Sequence, residues 1–466
     1  MDGAIVLVWM KRERLMHKPE DRPRLFGTDG IRGAANLELT PELALRVGCA
    51  AVKVLATGNA RPFLVVGRDT RISGSMLESA LVAGICSSGG RVETLGVIPT
   101  PAVAFLTAHK GADAGVVISA SHNPARDNGI KFFHRTGYKL PDEVELEMET
   151  IIEAGELADR PNGDAVGCVS QAQDAEELYM DNLLSVASPD LTGRKVVIDC
   201  AHGAVYRLAP ILLKRLGAET VVLNAEPDGL NINCECGSTH TESLQRAVVD
   251  TGADLGLAFD GDADRLLAVD EKGRLVDGDF IMAICALHMK TGGMLARDAM
   301  VTTVMTNLGF HRAMQRAGIE VLVTQVGDRY VLERMLQEEL NLGGEQSGHI
   351  IFGDHATTGD GLLTALKLLE ALTESGDPLS SLGGVMERIP QLLINVTVGD
   401  KEAALRSPVI ARAVREWEDK LAGEGRVLLR PSGTEPVVRV MVEAMDPERA
   451  KEAAESLAGL IEKEIG

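Results

Sequence analysis

The chain has 466 residues, enough for about three or four domains of ordinary size, and its formal net charge is −21. A chain with so large an excess of acidic residues is poorly suited to bind nucleic acid or an anionic membrane through non-specific charge attraction. The seven cysteines are scattered and include no CxxC pair, which argues against a disulfide framework and against a zinc site.

The first 23 residues do not have the pattern of a folded domain. Their one apolar run, Ala4–Met10, is too short to cross a bilayer and has no basic segment before it. We interpret residues 1–23 as a disordered tail or as the result of an early start codon, with Met10 or Met16 as the alternative start. Because no other segment of the sequence could cross a membrane, we expect a cytoplasmic protein with no membrane partner and no nucleic-acid partner.

Residues 24–165 show the strand–helix alternation of an α/β domain. Thr40 followed by Pro41 marks the start of a helix that should reach about Leu55, because threonine caps helices and proline is favoured at the first helical position. The later predicted elements are a strand at Phe63–Gly67, a helix at Gly74–Ser88, a strand at Val92–Leu95, a helix at Pro101–His109 and a strand at Gly115–Ile118.

The same alternation recurs in residues 166–268 and 269–383, as a repeated fold rather than a repeated sequence. The strands predicted there are Lys195–Asp199, Glu219–Leu223, Leu255–Phe259, Met300–Met305 and Ile319–Thr324. Ser, Gly, Pro and Asp follow one another closely in Glu374–Gly384, which is typical of a linker. Residues 384–466 then predict a small α+β domain.

A polar turn interrupts the sequence directly after the strand Gly115–Ile118. Residues 119–124 read SASHNP, and residues of this kind form turns and local side-chain hydrogen bonds. Ser121 therefore lies at a strand end beside His122, with Lys131 on the next extended segment. Such a serine can carry a phosphate or attack a substrate. A plain loop is the commoner explanation for a turn of this composition taken alone, and the GxSxG elbow of α/β-hydrolases is absent.

Three carboxylates at alternate positions give the sharpest metal signal. Asp260, Asp262 and Asp264 lie on a loop that leaves a predicted strand, so their oxygens can converge on one hard cation. Arg265 occupies the sixth position, where an EF-hand needs glycine, and a strand is predicted at Leu266–Asp270. Three carboxylates with room for a phosphate oxygen favour magnesium. An acidic solvated loop is the alternative.

Two further polar loops could bind parts of a substrate. Residues 343–349 read GGEQSGH and can present Glu345, Ser347 and His349 to sugar hydroxyls, although a tight hairpin would have a similar sequence. Residues 430–436 read RPSGTEP and predict an anion cradle, because arginine binds phosphate bidentately and backbone N–H groups around a glycine form a nest. The Walker pattern GxxxxGK[ST] is missing.

Together these loops describe phosphoryl transfer on a sugar phosphate. A serine nucleophile or phosphoserine, a magnesium triad, a loop that binds hydroxyls and a separate phosphate site come from successive domains. The active site should therefore lie in a cleft between the domains.

The four motifs SASHNP, DGDADR, GEQSGH and RPSGTEP, in this order and spacing, resemble the α-D-phosphohexomutase superfamily. The resemblance covers the chain from about Leu25 onward. It implies an α/β fold of four domains around a central cleft, with three similar αβ domains of mixed sheets and a C-terminal α+β (TBP-like) domain. The boundaries would be 24–165, 166–268, 269–383 and 384–466.

The resemblance also implies a mechanism that interconverts 6- and 1-phosphates through a phosphoserine at Ser121 and a sugar 1,6-bisphosphate. One Mg²⁺ would be held by Ser121 and the three aspartates, with Arg265 beside the phosphate and Arg32 supporting the serine loop. Lys131 and His349 are the candidate acid and base. The other implied site residues are Glu345 and Ser347 for the sugar and Arg430, Ser432, Gly433, Thr434 and Arg439 for the phosphate.

The substrate and the partners are the next implications of the resemblance. FGTDGIRG at residues 26–33 and VGDRY at residues 326–330 are most similar to the bacterial branch that acts on glucosamine phosphates and supplies UDP-N-acetylglucosamine for the cell wall. Gln325 departs from relatives that often have lysine there. A hexosamine phosphate is therefore the expected small-molecule partner, and the resemblance is compatible with a homodimer.

Three alternatives stay open. The same mechanism could act on mannose or glucose phosphates, since relatives of that branch more often have methionine where this chain has Gln346. A magnesium-dependent phosphatase would transfer the group to water, but it has no need for a separate phosphate cradle. A sensor that binds sugar phosphates without turnover would not need an intact Ser121 and triad.

Overall fold

The computed structural model of this chain describes residues 24–27, 29–55, 61–155, 160–431 and 436–465. The tail predicted at residues 1–23 lies outside the described residues, as do Ser432, Gly433 and Thr434. The described residues form three mixed β-sheets flanked by helices and one small antiparallel sheet, in agreement with the predicted fold class. None of the helices in these segments has the length and apolar character needed to cross a bilayer.

The first domain contains a mixed sheet of six strands. In order across the sheet, the strands are Ile31–Ala34, Asp127–His134, Ala114–Ile118, Phe63–Arg68, Arg91–Val97 and Val169–Gln171. Its helices are Pro41–Leu55, Ile72–Ser87, Thr100–His109 and Asp142–Ala154. Asp127–His134 runs antiparallel to both of its neighbours, whereas the other pairs are parallel. Val169–Gln171, which the predicted boundary assigns to the second domain, pairs with Arg91–Val97.

The second and third domains repeat this design in smaller form. The second sheet has the order Leu275–Val276, Leu266–Asp270, Leu255–Phe259, Lys195–Asp199 and Glu219–Leu223, with helices Ala175–Val186, Leu208–Arg215 and Glu242–Thr251. The third has the order Glu320–Thr324, Ala299–Thr303, Leu342–Gly344 and Ile350–Phe352, with helices Gly278–Thr291, Leu308–Arg316, Asp328–Glu338, Gly361–Ser375 and Leu379–Leu382. In both, parallel strands are followed by an antiparallel hairpin.

The fourth domain is a three-stranded antiparallel sheet covered by helices. The strands have the order Gln391–Thr397, Val437–Ala444 and Gly425–Pro431, and the helices are Lys401–Arg406, Pro408–Leu421 and Pro447–Ile465. The segment predicted as a linker, Glu374–Gly384, includes the short helix Leu379–Leu382, and Leu379 is fully buried. The chain before the fourth domain is therefore anchored to the third by an apolar side chain.

The apolar cores separate the fourth domain from the other three. The largest core cluster joins side chains of the first three domains, among them Val103, Val196 and Phe310. The fourth domain has a cluster of its own, built around residues such as Val440 and Leu457. Burial of apolar surface thus binds three domains into one body and leaves the fourth with a separate core.

Each motif predicted to carry chemistry lies at one end of an antiparallel pair of strands. The motifs follow, or begin in, the strands Ala114–Ile118, Leu255–Phe259, Leu342–Gly344 and Gly425–Pro431, and each strand pairs antiparallel with the next strand in the chain. These strands end in polar residues because the loops that follow them lie at the edge of a sheet, where solvent or ligand can reach them.

Candidate active site

The serine loop and the first aspartate of the triad are in direct contact. Ser121 is 3% exposed, and its Oγ donates a hydrogen bond to Asp260 Oδ2 at 2.7 Å. Gly261 makes the approach of the two loops possible, because a Cβ on it would lie 2.6 Å from the carbonyl oxygen of Ser121. Ser121 itself has φ of +50°, an unusual conformation for serine that the surrounding contacts must hold.

Arg71 holds the serine loop in this conformation. Its guanidinium donates to the backbone carbonyls of Ser121 at 2.9 Å, Asn123 at 2.8 Å and Asp127 at 3.0 Å. The Arg71 side chain is fully buried and also pairs with Asp69 at 2.8 Å. One arginine therefore satisfies several carbonyls that the turn leaves without backbone partners.

Arg32, predicted to support the serine loop, pairs with Asp29. Its charge also reaches His122 of the loop, where it adds to burial and Arg265 in lowering the pKa of the imidazole. A hydrogen bond to the loop comes from the second domain, where Asn233 Nδ2 donates to the carbonyl of Ser121 at 2.8 Å. Arg71 and Asn233 thus contact the backbone of the loop directly.

The three aspartates form a site that fits a divalent cation. One carboxylate oxygen from each of Asp260, Asp262 and Asp264 lies within 4.8 Å of the others, and all three residues are buried. Burial and repulsion from the neighbouring carboxylates raise the pKa values of Asp260 and Asp262. Within the described part of the chain, Oδ1 of Asp262 and Oδ1 of Asp264 have no hydrogen-bond partner. A hard cation with oxygen ligands would satisfy these oxygens and offset the repulsion.

Two positive or ionisable side chains lie beside the serine and the triad. Arg265 Nε is 3.8 Å from Asp264 Oδ1, and the nearby aspartates outweigh burial and raise the pKa of the guanidinium. His122 Nδ1 is 3.4 Å from Ser121 Oγ. Burial, with a smaller contribution from Arg265, lowers the pKa of His122 to about 4, so its imidazole is neutral at pH 7. A fixed positive charge and a neutral ring therefore flank the serine.

Lys131 joins the first domain to the third. Its Nζ lies 2.7 Å from Asp29 and 3.8 Å from Asp328. Burial alone would lower the pKa of Lys131, but Asp29, Asp328 and Asp264 outweigh it and raise the pKa. The ammonium group is therefore protonated at neutral pH and can donate hydrogen bonds, but it cannot take up a proton.

The residues of the sugar loop point in different directions. Glu345 Oε1 accepts a hydrogen bond from the backbone N–H of Gly327 at 3.0 Å, and Ser347 is exposed. Gln346 turns away and donates to Asp279 at 3.3 Å. His349 is 3% exposed, and its Nε2 is 4.0 Å from Asp264 Oδ2. The loop therefore reaches the triad through its histidine.

The hydrogen bond at His349 assigns the position of its ring proton. Nε2 accepts from the backbone N–H of Gly359 at 3.2 Å, so the neutral ring carries its proton on Nδ1. Nδ1 is buried, and no described residue is its hydrogen-bond partner. Nδ1 of His349 can therefore donate a hydrogen bond.

The two arginines of the predicted phosphate cradle lie side by side. Arg430 and Arg439 are register partners on adjacent strands of the fourth domain. Burial and the charge of Arg439 lower the pKa of Arg430, while Glu345 acts against this shift. Two adjacent cations that face an acidic side chain of the sugar loop create a positive site at the mouth of the cleft.

Comparisons with known proteins agree with this architecture. Phosphoglucomutase/phosphomannomutase models match all four domains: domain I at residues 23–159, domain II at 177–273, domain III at 277–389 and the C-terminal domain at 393–460. Phosphoglucosamine mutase of Desulforamulus reducens is 54% identical over 440 residues, covering 94% of this chain and 99% of the relative. Phosphoglucosamine mutase of Moorella thermoacetica is 57% identical over 438 residues, covering 94% and 98%.

The chain belongs to the phosphoglucosamine mutase family.

Solved structures show how widely the fold of this family is shared. A phosphoglucomutase/phosphomannomutase family protein from Burkholderia thailandensis matches with a TM-score of 0.79 and 26% identity, covering 95% of this chain and 98% of that protein. N-acetylphosphoglucosamine mutase from Aspergillus fumigatus, in complex with GlcNAc-6P and magnesium, matches with a TM-score of 0.67 at 19% identity, covering 96% and 97%. The second likeness, at this low identity, concerns the fold.

Arg71 and Asn233 are site residues to which the sequence motifs assign no role. Residues 68–71 read RDTR directly after the predicted strand Phe63–Gly67. The available signal was an arginine close to an aspartate at the end of a buried strand, where an unpaired charge would be costly. The partners of Arg71 include main-chain carbonyls 50 and 52 residues away, and no pattern of residue types identifies them.

Proposed function

We propose that this protein interconverts glucosamine 6-phosphate and glucosamine 1-phosphate, with Ser121 as the group that carries the phosphoryl between substrate and enzyme. The observation that carries the proposal is the contact of Ser121 Oγ with Asp260 inside the buried aspartate cluster. Its context is a chain that matches relatives named phosphoglucosamine mutase over nearly its whole length.

The residues that would hold magnesium are Ser121, through its phosphate, together with Asp260, Asp262 and Asp264. The cation would supply charge neutralisation for the phosphoryl group when bound. Arg265, beside Asp264, contributes a further fixed positive charge on the same side of the cleft. The cation held by the aspartates and the guanidinium of Arg265 would therefore both lie beside the same phosphate.

The first transfer would pass the phosphoryl group from Ser121 to the 1-hydroxyl of glucosamine 6-phosphate and give the 1,6-bisphosphate. The bisphosphate would then turn over in the cleft and return its 6-phosphate to Ser121. Because both transfers use the same serine, the sugar must bind in two orientations. Glu345 and Ser347 would contact sugar hydroxyls in both of them.

Two donors at the site have distinct capacities. Lys131 stays protonated because of Asp29 and Asp328, so we assign it to holding negative charge on the substrate. His349, whose Nε2 lies 4.0 Å from Asp264 Oδ2, is the remaining candidate for the acid and base. Lys131 differs from it because Asp29 and Asp328 keep its ammonium group protonated.

The phosphate that is not reacting would bind to the fourth domain. Arg430 and Arg439, adjacent in the sheet, can neutralise it, and Ser432, Gly433 and Thr434 would complete the cradle. Holding the distant phosphate keeps the bisphosphate in the cleft while it reorients. This retention distinguishes a mutase from a phosphatase.

The test is a comparison of kcat/KM for glucosamine 6-phosphate, glucose 6-phosphate and mannose 6-phosphate, with magnesium and a trace of sugar 1,6-bisphosphate. We expect a preference for the amino sugar of at least about tenfold. Ser121→Ala protein purified in the same way is the control for contaminating mutases. Equal or better use of the neutral sugars would preserve the mechanism and overturn the substrate.

A further inference from the structure

Thr100 makes two hydrogen bonds to the middle aspartate of the triad. It is the first residue of the helix Thr100–His109 in the first domain and is fully buried. Its Oγ1 donates to Asp262 Oδ2 at 2.6 Å, and its backbone N–H donates to the carbonyl oxygen of Asp262 at 3.0 Å. The backbone and the side chain of Asp262, which belongs to the second domain, are thus both fixed from the first domain.

The hydroxyl of Thr100 determines which oxygen of Asp262 is available to a cation. Oδ2 is occupied by this hydrogen bond, whereas Oδ1 is buried and, among the described residues, has no partner. Oδ1 of Asp264 is in the same condition. Without the Thr100 hydroxyl, the carboxylate could rotate and either oxygen could face the other two aspartates, so the arrangement would be less ordered.

We propose that Thr100 is a positioning residue for the metal site, which orients Asp262 so that Oδ1 faces the cation. The inference deepens the proposed function, since it concerns the cation of the same reaction. Residues that hydrogen-bond to metal ligands fix the ligand orientation, and their loss typically costs about 10- to 100-fold in metal affinity or activity. The position of Thr100 at a helix N-terminus adds the partial positive charge of the helix beside the aspartate.

The geometry allows the hydroxyl to be removed with little other change. Thr100→Val keeps the size of the side chain and the backbone hydrogen bond to Asp262. Thr100→Ser keeps the hydroxyl and should restore the wild-type behaviour. Thr107 offers a matched control, because it is equally buried on the same helix but donates its hydroxyl to the Val103 carbonyl at 2.6 Å, within the helix.

The experiment is a titration of metal-free, full-length protein with Mn²⁺, followed by electron paramagnetic resonance, in the absence of sugar phosphate. We expect Thr100→Val to raise the Kd for Mn²⁺ by about 10-fold or more. Thr100→Ser and Thr107→Val should stay within about threefold of wild type, which is the usual context dependence of such effects. A Thr100→Val protein that binds Mn²⁺ like wild type would overturn the proposal, and so would an equal loss in Thr107→Val.

A double-mutant cycle makes the test specific to the Thr100–Asp262 pair. On an Asp262→Asn background, Thr100→Val should cause no further loss of affinity, because the carboxylate it orients is gone. Additive losses would contradict the inference. If Thr100→Val does not fold, Thr100→Ala and Thr100→Ser are compared in the same cycle, and equal Kd values for the two would also contradict it.

The result can be separated from the fate of the proposed function. If Asp262→Asn binds Mn²⁺ as well as wild type does, the metal site itself is misassigned and the proposed mechanism fails with it. If Asp262→Asn weakens binding but Thr100→Val does not, only the role of Thr100 fails. If the variants change the Kd for Mn²⁺ as expected but the wild-type protein has no mutase activity, the inference about Thr100 stands and the proposed function fails.

Discussion

The junction between the first two domains differs in kind from the junction between the third and the fourth. At the first, Ser121, Asn233 and Thr100 make interdomain hydrogen bonds of 2.6–2.8 Å, and the apolar core is continuous across the interface. The serine loop and the aspartates that face it are therefore held together as one unit.

At the second junction the fourth domain meets the third through polar contacts around one carboxylate. Glu443, fully buried, accepts hydrogen bonds from Asn307 Nδ2 and from the Leu308 backbone, both at 3.0 Å, and pairs with Arg426 at 2.6 Å. Polar contacts of this kind can be exchanged for water more readily than an apolar core can be opened. The first junction therefore fixes Ser121 relative to the aspartates, whereas the second holds the proposed phosphate cradle through contacts that water can replace.

The largest effect is expected from replacing Ser121, at the junction of the first two domains. Ser121→Ala should reduce turnover by at least about 10⁴-fold, as is usual when a covalent nucleophile is removed, because no other hydroxyl can carry the phosphoryl group. Binding of sugar phosphate, measured by calorimetry, should be nearly unchanged. Intact-mass analysis should show that the phosphate present on the wild-type protein is missing from the variant. Turnover near the wild-type rate would remove Ser121 from the mechanism.

Arg71→Met tests what holds the serine loop in place. The change leaves Asp69 buried without its partner and frees the carbonyls of Ser121 and Asn123, so we expect a loss of about 3–5 kcal/mol in the free energy of unfolding. Denaturant unfolding measures it. Arg126→Met, on the loop that Arg71 holds, is the matched control, because Arg126 is 82% exposed and its pair with Asp127 should contribute less than about 1 kcal/mol. Equal losses in the two variants would contradict the role of Arg71.

At the junction of the third and fourth domains, Glu443→Gln should weaken substrate binding more than it slows phosphoryl transfer. Glutamine has only one acceptor oxygen, so at least one of the donors from Arg426, Asn307 and Leu308 loses its partner, at a cost of about 1–3 kcal/mol each. We expect KM for sugar phosphate to rise while single-turnover transfer from phospho-Ser121 keeps its rate. A selective loss of the transfer rate would show that the fourth domain is coupled to the chemistry after all.

The smallest effect is the pH dependence of stability at the junction of the third and fourth domains. Burial, reinforced by Asp277, raises the pKa of Asp279 to about 8, and this group lies against Asn307 on the third-domain side of the junction. Because the folded state binds the proton more tightly than the unfolded chain, stability is lost as the pH rises from about 4 to about 8. At pH 8, Asp279→Asn should therefore raise the free energy of unfolding, measured with denaturant, by about 1–3 kcal/mol relative to wild type. The gain in the free energy of unfolding should be smaller at pH 5. A gain that is independent of pH would contradict the assignment.

Much of the fold and the outline of the site could be predicted because both are encoded locally. The buried strands before Ser121, Asp260 and Glu345 are short apolar runs that stop at polar motifs, and each observed loop follows such a strand. The Gly- and Pro-rich segment Glu374–Gly384 misled the prediction, because a linker-like composition conceals the buried Leu379.

The supports of the site could not be predicted from the sequence. Thr100 lies 162 residues from Asp262, and Arg71 is about 50 residues from the carbonyls it holds. The partner of Thr100 is set by how two domains dock, and the partners of Arg71 by how two loops of the first domain pack, and no local pattern of residue types records either contact. The ion pair of Arg32 with Asp29 was not predicted either.

The division of the apolar cores has a thermodynamic consequence. A continuous core makes neighbouring domains unfold together, because none of them can open without exposing the others' buried surface. Four domains in the architecture thus become two cooperative units, one of three domains and one of a single domain. Arg430 and Arg439 of the proposed phosphate cradle belong to the smaller unit, so the fourth domain could unfold and refold while Ser121 and the three aspartates stay in a folded structure.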